Sequence, residues 1–537
     1  MSFRKQLADT LEKAFIKAKE KGLMGDANLP EITIERPAKP EHGDFASSLP
    51  LKLARLTGMK PMDIAETLIQ NIESAKDVEQ ITPAKPGFIN FTVSKEWLNK
   101  QVDVICKEGE DYGNVKLGNQ KVQIEFVSGN PTGPLHVGHG RGAVLGSTLA
   151  NVLKAAGYKV FTEYYVNDAG SQLEAFHQSL FARYQQALGK EAEIPGNGYH
   201  GNYMIDLAKE IVEKYKDKFL QMPPEKGVAE IGKVGIEMVM SMIKEDLGIL
   251  GVEFDEWFSE QSLFKSGQFD KTMKMLKDGN YITERENATW FTSSTMGDDR
   301  DNVLIRSDGT PTYFASDIAY HYNKFVSRKF ANMKVVMNAL GLDPERLEII
   351  ICQLVTLRRG QEVVKISKRS GDIISLREVL DEVGPDACRF FFLSRSADSQ
   401  MDFDLELAIK QSADNPVYYV QYAHARIASI LKNAAEKCLD YEDGRVTLLT
   451  SEPELTLIRQ MVRISEVIET VATTHEPHHL PFYAQELATV FHSFYKQCRV
   501  ISDDADMSCA RLKLVKAAQI VLARTLHLMG MTAPDSM

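Results

Sequence analysis

The chain has 537 residues, of which 44% are hydrophobic and 26% charged, and carries a formal net charge of −11. That length exceeds what one core can organise and implies three or four units at roughly 150 residues each, while the acidic balance excludes indiscriminate nucleic-acid binding but not a partner met through local basic patches. No apolar run approaches the roughly 18–20 residues of a membrane span, and the N-terminus leads into an amphipathic helix rather than a signal peptide, so a cytoplasmic protein away from membranes is expected.

Residues 1–112 read as a small α+β unit, with a helix over 6–21, a strand at 31–34, helices near 47–56 and 61–72, and an alternating strand over 87–93. Within it His42-Gly43-Asp44-Phe45 reads as turn chemistry. From about 113 the rhythm becomes strand, helix, strand, the pattern of a parallel, doubly wound sheet. The first strand is 121–128, where Val122, Ile124 and Phe126 alternate with Gln123 and Glu125, and the helix runs from about 137 to 156 with Gly157 just past its end. Between them, Gly129-Asn130-Pro131-Thr132-Gly133-Pro134 forms a turn that opens on His136-Val137-Gly138-His139-Gly140. A helix N-terminus offers unpaired N–H groups and partial positive charge, and Gly133, Gly138 and Gly140 let a phosphate-bearing ligand approach the backbone. Taken alone, the stretch also admits a merely structural turn or a metal half-site, although neither Cys nor carboxylate accompanies His136 and His139 at ligand spacing.

The next strand, 158–166, ends in Asn167-Asp168-Ala169-Gly170, where ligands of such sheets sit; Asp168 as a cap of the following helix is the other reading. Residues 185–260 are mostly helical and polar and read as an insertion. Strands at 288–292 and 302–306 precede Tyr313-Phe314-Ala315-Ser316-Asp317, which opens a helix and brings a phenol and a carboxylate to its mouth, with Asp317 as a dipole partner of that helix as the alternative. The apolar run 347–355, which contains Ile349-Ile350-Ile351 and ends in Gln353-Leu354-Val355, reads as a doubly covered central strand. Lys365-Ile366-Ser367-Lys368-Arg369 places three cations in five residues, suited to phosphates or to a solvated surface. Ser375-Leu376-Arg377-Glu378 is a capping box, and Pro385 sits at a first helical position.

Beyond about 405 the chain reads as helices, notably 415–431, 454–473 and 481–498. Arg459 and Arg463, with Tyr418, Tyr419, Tyr422 and His424, are available to RNA, core packing being the other account of the aromatics. His475-Glu476-Pro477-His478-His479 reads as an exposed helix start rather than a metal site, and the six cysteines form no Cys-x-x-Cys pair, so no protein-held metal is expected.

Together, His136-Val137-Gly138-His139 after an early strand and Lys365-Ile366-Ser367-Lys368-Arg369 after a late one resemble the paired signatures of class I aminoacyl-tRNA synthetases. The stretches from Glu125 to His139, Tyr165 to Gly170, Ser307 to Tyr320, Arg389 to Leu407 and Asn415 to Arg426 resemble arginyl-tRNA synthetases of bacterial type. The resemblance implies an α/β architecture: an α+β tRNA-contacting domain over 1–112, a class I Rossmann-type parallel-sheet catalytic domain over 113–404 with its helical insertion at 185–260, and an all-α anticodon-binding domain over 405–537. It implies an arginine-tRNA ligase that uses ATP to make arginyl-adenylate and charges tRNA(Arg), acting as a monomer, with Mg2+ accompanying ATP rather than held in a protein cage. By the same analogy His136 and His139 bond the α-phosphate, and Lys365 and Lys368 neutralise the leaving pyrophosphate. Gly133, Gly138, Gln353, Val355 and Lys368 would contact ATP. Arginine would meet Glu125, Ser128, Asn130, His136, Tyr313 and Asp317, with Asn130 and Glu125 at its amino-acid end and Asp317 and Tyr313 at its side chain.

One departure stands out. The family has a strand with a Trp-Gly-Ala-Asp-His type motif between the helix ending near Phe330 and the helix that starts near Met333, where this chain has only Ala331-Asn332. Two helices on a parallel sheet need a strand between them, so roughly 15 residues are absent. Either a segment is missing between Phe330 and Ala331 or the strand is deleted and an inactive, tRNA-binding relative results; the intact flanks favour the former.

Overall fold

The computed structural model describes residues 3–296, 299–324, 328, 348–364 and 374–537. At the N-terminus an antiparallel sheet orders its strands Ile34–Glu35, Phe45–Ser47, Phe88–Val93 and Val78–Ala84, with helices Phe3–Glu20, Leu49–Thr57 and Pro61–Gln70 packed on it. The strand expected at 31–34 is thus only Ile34–Glu35, and Val78–Ala84, which carries Pro83, is an edge strand, where a missing N–H is tolerated. The turn at His42-Gly43-Asp44-Phe45 is structural. Gly43 has φ +83, a Cβ there would lie 2.7 Å from the Phe91 carbonyl oxygen, and Asp44 accepts from the Val93 N–H at 2.8 Å.

The parallel-sheet unit begins with β1 (Lys121–Glu125), α1 (Val137–Ala155), β2 (Lys159–Val166) and, after the intervening helices, β3 (Glu256–Ser259). β1 pairs with β2 and β2 with β3, both in parallel, in a register that sets Glu125, Glu163 and Glu256 side by side. Helix α2 (Tyr313–Tyr322) follows, its start capped by the Thr312 hydroxyl. Further on, β4 (Val355–Arg359), α3 (Pro385–Leu393) and β5 (Met401–Asp404) form a second parallel pair, β4 with β5, extended by the short antiparallel strand Glu362–Val363. Among the described residues no ladder joins β1–β3 to β4–β5.

One expectation is corrected here. The apolar run 347–355 is not a central strand in its described part: residues 348–354 are irregular, Ile349 is 71% exposed and Leu354 76%, and pairing begins at Val355. An apolar sequence permits a doubly covered strand but does not supply the neighbours whose backbone groups it must pair with. Whether a segment is missing between Phe330 and Ala331 or the strand is deleted turns on a junction that lies outside the described residues.

The C-terminal helices are Pro416–Glu436, Glu452–Met461, Ile464–Thr474, His479–Gln497 and α4 (Ala505–Leu528), so the helix expected over 454–473 is two. Arg459 and Arg463 are committed to protein partners: Arg459 pairs with Asp44 of the N-terminal sheet at 2.9 Å and with Glu452, and Arg463 with Glu486. Arg4 and Arg36 converge on Glu466, 2.8 and 2.7 Å away, which ties the two ends of the chain together. No described helix is long and apolar enough to cross a membrane.

Candidate active site

β1 ends in a strained turn. Val127 and Ser128 have φ of 69° and 42°, and left-handed backbone at a β-branched residue costs on the order of 1–3 kcal/mol. The bend lets the Ser128 hydroxyl reach back to Glu125 Oε1 at 3.0 Å while accepting from the Tyr165 N–H at 3.2 Å. Nearby the Tyr164 hydroxyl donates to the Gly129 carbonyl at 3.0 Å, so two residues of β2 fix the tip of β1.

Helix α1 then starts on its two imidazoles. His136 is the N-cap, its Nδ1 accepting from the Gly138 N–H at 3.1 Å, and His139 Nδ1 accepts from the His136 N–H at 3.3 Å, a reciprocal capping box. The rings stack 3.8 Å apart. Burial, with the neighbouring His136 second, pushes His139 down to about 4. A neutral ring whose Nδ1 accepts carries its proton on Nε2, so the hydrogen-bond pattern assigns the pair as Nε2–H donors. At the positive end of a helix, two such donors make a site for an anion. Gly146 lets the helix lie close on the strand, since a Cβ there would fall 2.2 Å from the Phe126 ring.

The other half of the site is acidic. Tyr320 of α2, Lys324 just past its end and Arg328, spaced four apart in sequence, lie over the row Glu125, Glu163, Glu256. The Tyr320 hydroxyl donates to Glu125 at 3.0 Å and to Glu163; Lys324 Nζ bonds Glu125; Arg328 bonds Glu163 and reaches Glu256 at 3.0 Å. One turn before Tyr320, Asp317 is held up at about 6 by burial and then by Glu125, with Lys324 opposing. Glu260, buried at the end of β3, is also raised, by burial first. Tyr313, 50% exposed, and the exposed Asn130, which donates to Gln172 at 2.7 Å, stand at the rim.

The structure thus brings Glu125, Ser128 and Asp317 together and puts His136 and His139 on the helix that follows the same strand. Asp168 caps a helix, but not the next one: it accepts from the Ser259 hydroxyl at 2.5 Å and from the N–H of Gln261, the first residue of helix Gln261–Lys265. Gln353 is joined to α1 by Arg141, whose fully buried guanidinium donates to the carbonyls of Gln353, Ser396 and Ser399 at 2.7–2.9 Å, and Val355 opens β4. Lys365 and Lys368 lie outside the described residues. The reading of the sequence missed Glu163, Glu260, Arg141, Tyr320, Lys324 and Arg328. The four-residue spacing of the last three was a signal, but their acidic partners emerge only when three strands are set in register.

Three family models match: Arginyl tRNA synthetase N terminal domain over residues 1–93, tRNA synthetases class I (R), catalytic domain over 101–428, and DALR anticodon binding domain over 420–537. A protein of Dehalococcoides mccartyi named Arginine--tRNA ligase is 58% identical over 553 aligned positions, which cover 100% of this chain and 99% of that one. The chain belongs to the arginyl-tRNA synthetase family. A relative of the same name from Carboxydothermus hydrogenoformans is 44% identical across 99% of this chain and 98% of its own. A solved structure from Campylobacter jejuni matches with a TM-score of 0.76 at 32% identity, covering 83% of this chain and 100% of that chain. The Thermus thermophilus arginyl-tRNA synthetase matches with a TM-score of 0.75 at 20% identity over 99% and 100% of the two chains, a likeness of fold. Set against the 553 aligned positions, the 537 residues of this family member are about 16 short, the size of the shortfall expected after Phe330.

Proposed function

We infer that the chain is an ATP-dependent arginine-tRNA ligase, which joins arginine to ATP as arginyl-adenylate and passes the arginyl group to tRNA(Arg). The observation that carries this reading is the meeting, at the end of one strand, of a neutral imidazole pair on a helix N-terminus with a buried acidic pocket. Attack of the arginine carboxylate on the α-phosphorus, with pyrophosphate leaving, needs positioning and charge stabilisation more than a strong base. The Nε2–H groups of His136 and His139 would donate to the α-phosphate, Gly133, Gly138, Gln353 and Val355 would line the nucleotide, and Lys365 and Lys368 would meet the leaving pyrophosphate, with Mg2+ carried on the phosphates of ATP. A terminal ribose hydroxyl of tRNA then attacks the arginyl carbonyl and AMP leaves.

A guanidinium has five donors and a permanent charge, which Asp317 and Tyr313 suit. Because Tyr320, one turn beyond Asp317 on α2, bonds Glu125, and Glu125 adds to the upward shift of Asp317, we place it with them rather than at the amino-acid end, which leaves Asn130 and Ser128 for that role. Residues 1–112, 113–404 and 405–537 would be the tRNA-contacting, catalytic and anticodon-binding domains of a monomer.

Pyrophosphate exchange with arginine and ATP, measured with and without tRNA, tests the reading. Exchange with another amino acid and none with arginine would overturn it, and Asp317→Ala should abolish arginine use. A second reading, a tRNA binder that does not activate arginine, is favoured by the separation of β1–β3 from β4–β5 among the described residues and by the shortfall of about 16 positions. Binding of tRNA without any exchange would select it.

A further inference from the structure

Lys324 is a cation of the pocket that the proposed reaction does not use. Its ammonium bonds Glu125, lies 3.8 Å from Glu163 and 4.1 Å from the centre of the Tyr320 ring, and only 8% of its side chain is exposed. Arg328 is engaged one strand further on, with Glu163 and Glu256. Lys324 is therefore a charge that offsets Glu125 beside Asp317, which stands one turn of α2 before Tyr320, itself bonded to Glu125. Without it, two close carboxylates would attract any cation that could bridge them.

Resting on the assignment of Glu125 and Asp317 to the arginine side chain, we propose that Lys324 is a specificity-determining residue whose ammonium is a built-in competitor for Glu125. A substrate with a terminal ammonium, such as lysine or ornithine, brings the same point charge as Lys324, which is already tethered and ordered on that carboxylate. It gains Asp317 alone. A guanidinium presents five N–H groups in a planar fork, and an ionised carboxylate accepts about four bonds, so arginine can engage Asp317 and share Glu125 with Lys324 in place. The internal cation thus lowers the affinity for the wrong substrate more than for the right one, which is how specificity arises as a difference of affinities.

The test is equilibrium binding of free arginine and free lysine to the full chain by calorimetry, which does not depend on catalysis. Lys324→Met and Lys324→Gln should each reduce the arginine-to-lysine affinity ratio by about tenfold or more, chiefly by tightening lysine. Lys324→Arg keeps the charge and should hold the ratio within about threefold of the parent. The Gln variant keeps a donor for Glu125 and guards against a fold that fails when the Met variant is made; thermal melts report whether each is folded. An unchanged ratio in both neutral variants, or equal weakening of arginine and lysine, would mean that Lys324 only holds Glu125 in place and would overturn the proposal. A parent chain that binds no arginine would overturn the functional assignment as well, an outcome distinct from an unchanged ratio in a chain that binds it.

Discussion

Asp317 and His139 are both shifted toward neutrality by burial, with opposite consequences. For Asp317, burial and then Glu125 raise the carboxyl from the ordinary 3.8 to about 6. The native state therefore binds this proton more tightly than the unfolded chain. That contribution to stability is fully present below about pH 4 and is lost as pH rises through about 6, so near neutrality the ionised carboxylate opposes folding of the empty protein. A bound guanidinium would relieve it. Arginine affinity should accordingly fall by up to about tenfold per pH unit below about 6, as Asp317 takes up its proton, and Asp317→Asn should bind weakly with a flat pH profile. Calorimetric titrations between pH 5 and 8 would reveal either behaviour. His139, pushed down to about 4, stays neutral across that range and keeps its Nε2–H as a donor. Replacing it by Ala should lower the rate of pyrophosphate exchange about 10²–10³-fold, as removal of a donor from developing charge does elsewhere, with the arginine affinity little changed.

At the level of elements, the unit β1–turn–α1 works because the helix can approach the strand and because the turn is bent against its local preference. Two glycines in α1 separate these demands. A methyl at Gly146 would meet the Phe126 ring at 2.2 Å, whereas nothing lies within 4 Å of a methyl at Gly142. Gly146→Ala should destabilise by about 1–3 kcal/mol through overpacking, although it raises helix propensity. Gly142→Ala in the same helix should stabilise by about 0.5–1 kcal/mol. Urea midpoints of the two variants should move in opposite directions, and a common direction would contradict the packing seen between helix and strand.

Over the whole molecule, a few buried cations join distant parts of the chain. Arg389 of α3, 1% exposed, donates to the Leu250 carbonyl at 2.9 Å, to the Ser147 hydroxyl of α1 at 2.8 Å, and to the Met529 carbonyl just after α4. Burial lowers its pKa only to about 10, so it remains charged at neutral pH. Gly530 is required beside it: its φ is +71, and a Cβ there would lie 2.4 Å from the guanidinium. Arg389→Met removes the shared donor from two backbone carbonyls and should cost about 2–5 kcal/mol. Hydrogen exchange should show the loss in α4 as well as in α1; a loss confined to α3 would refute the idea that this one side chain holds the C-terminal helix to the sheet unit.

What could be read from the sequence was local. The cap Ser375 with Glu378, Pro385 at the start of α3 and the succession β1, α1, β2 all depend on residues within a few positions of one another, and each is found in the structure. The imidazole pair belongs to this group because a helix N-terminus is itself local. Tertiary structure alone decided which charges meet. Glu125, Glu163 and Glu256 become a row through strand register, Arg459 pairs with Asp44 of the N-terminal sheet, Asp168 caps a helix beyond the insertion, and residues 348–354 form no ladder among the described residues. The physical reason is that backbone propensity acts over a few residues, whereas the partner of a buried charge or of a parallel strand can lie hundreds of residues away and is chosen by how the layers pack.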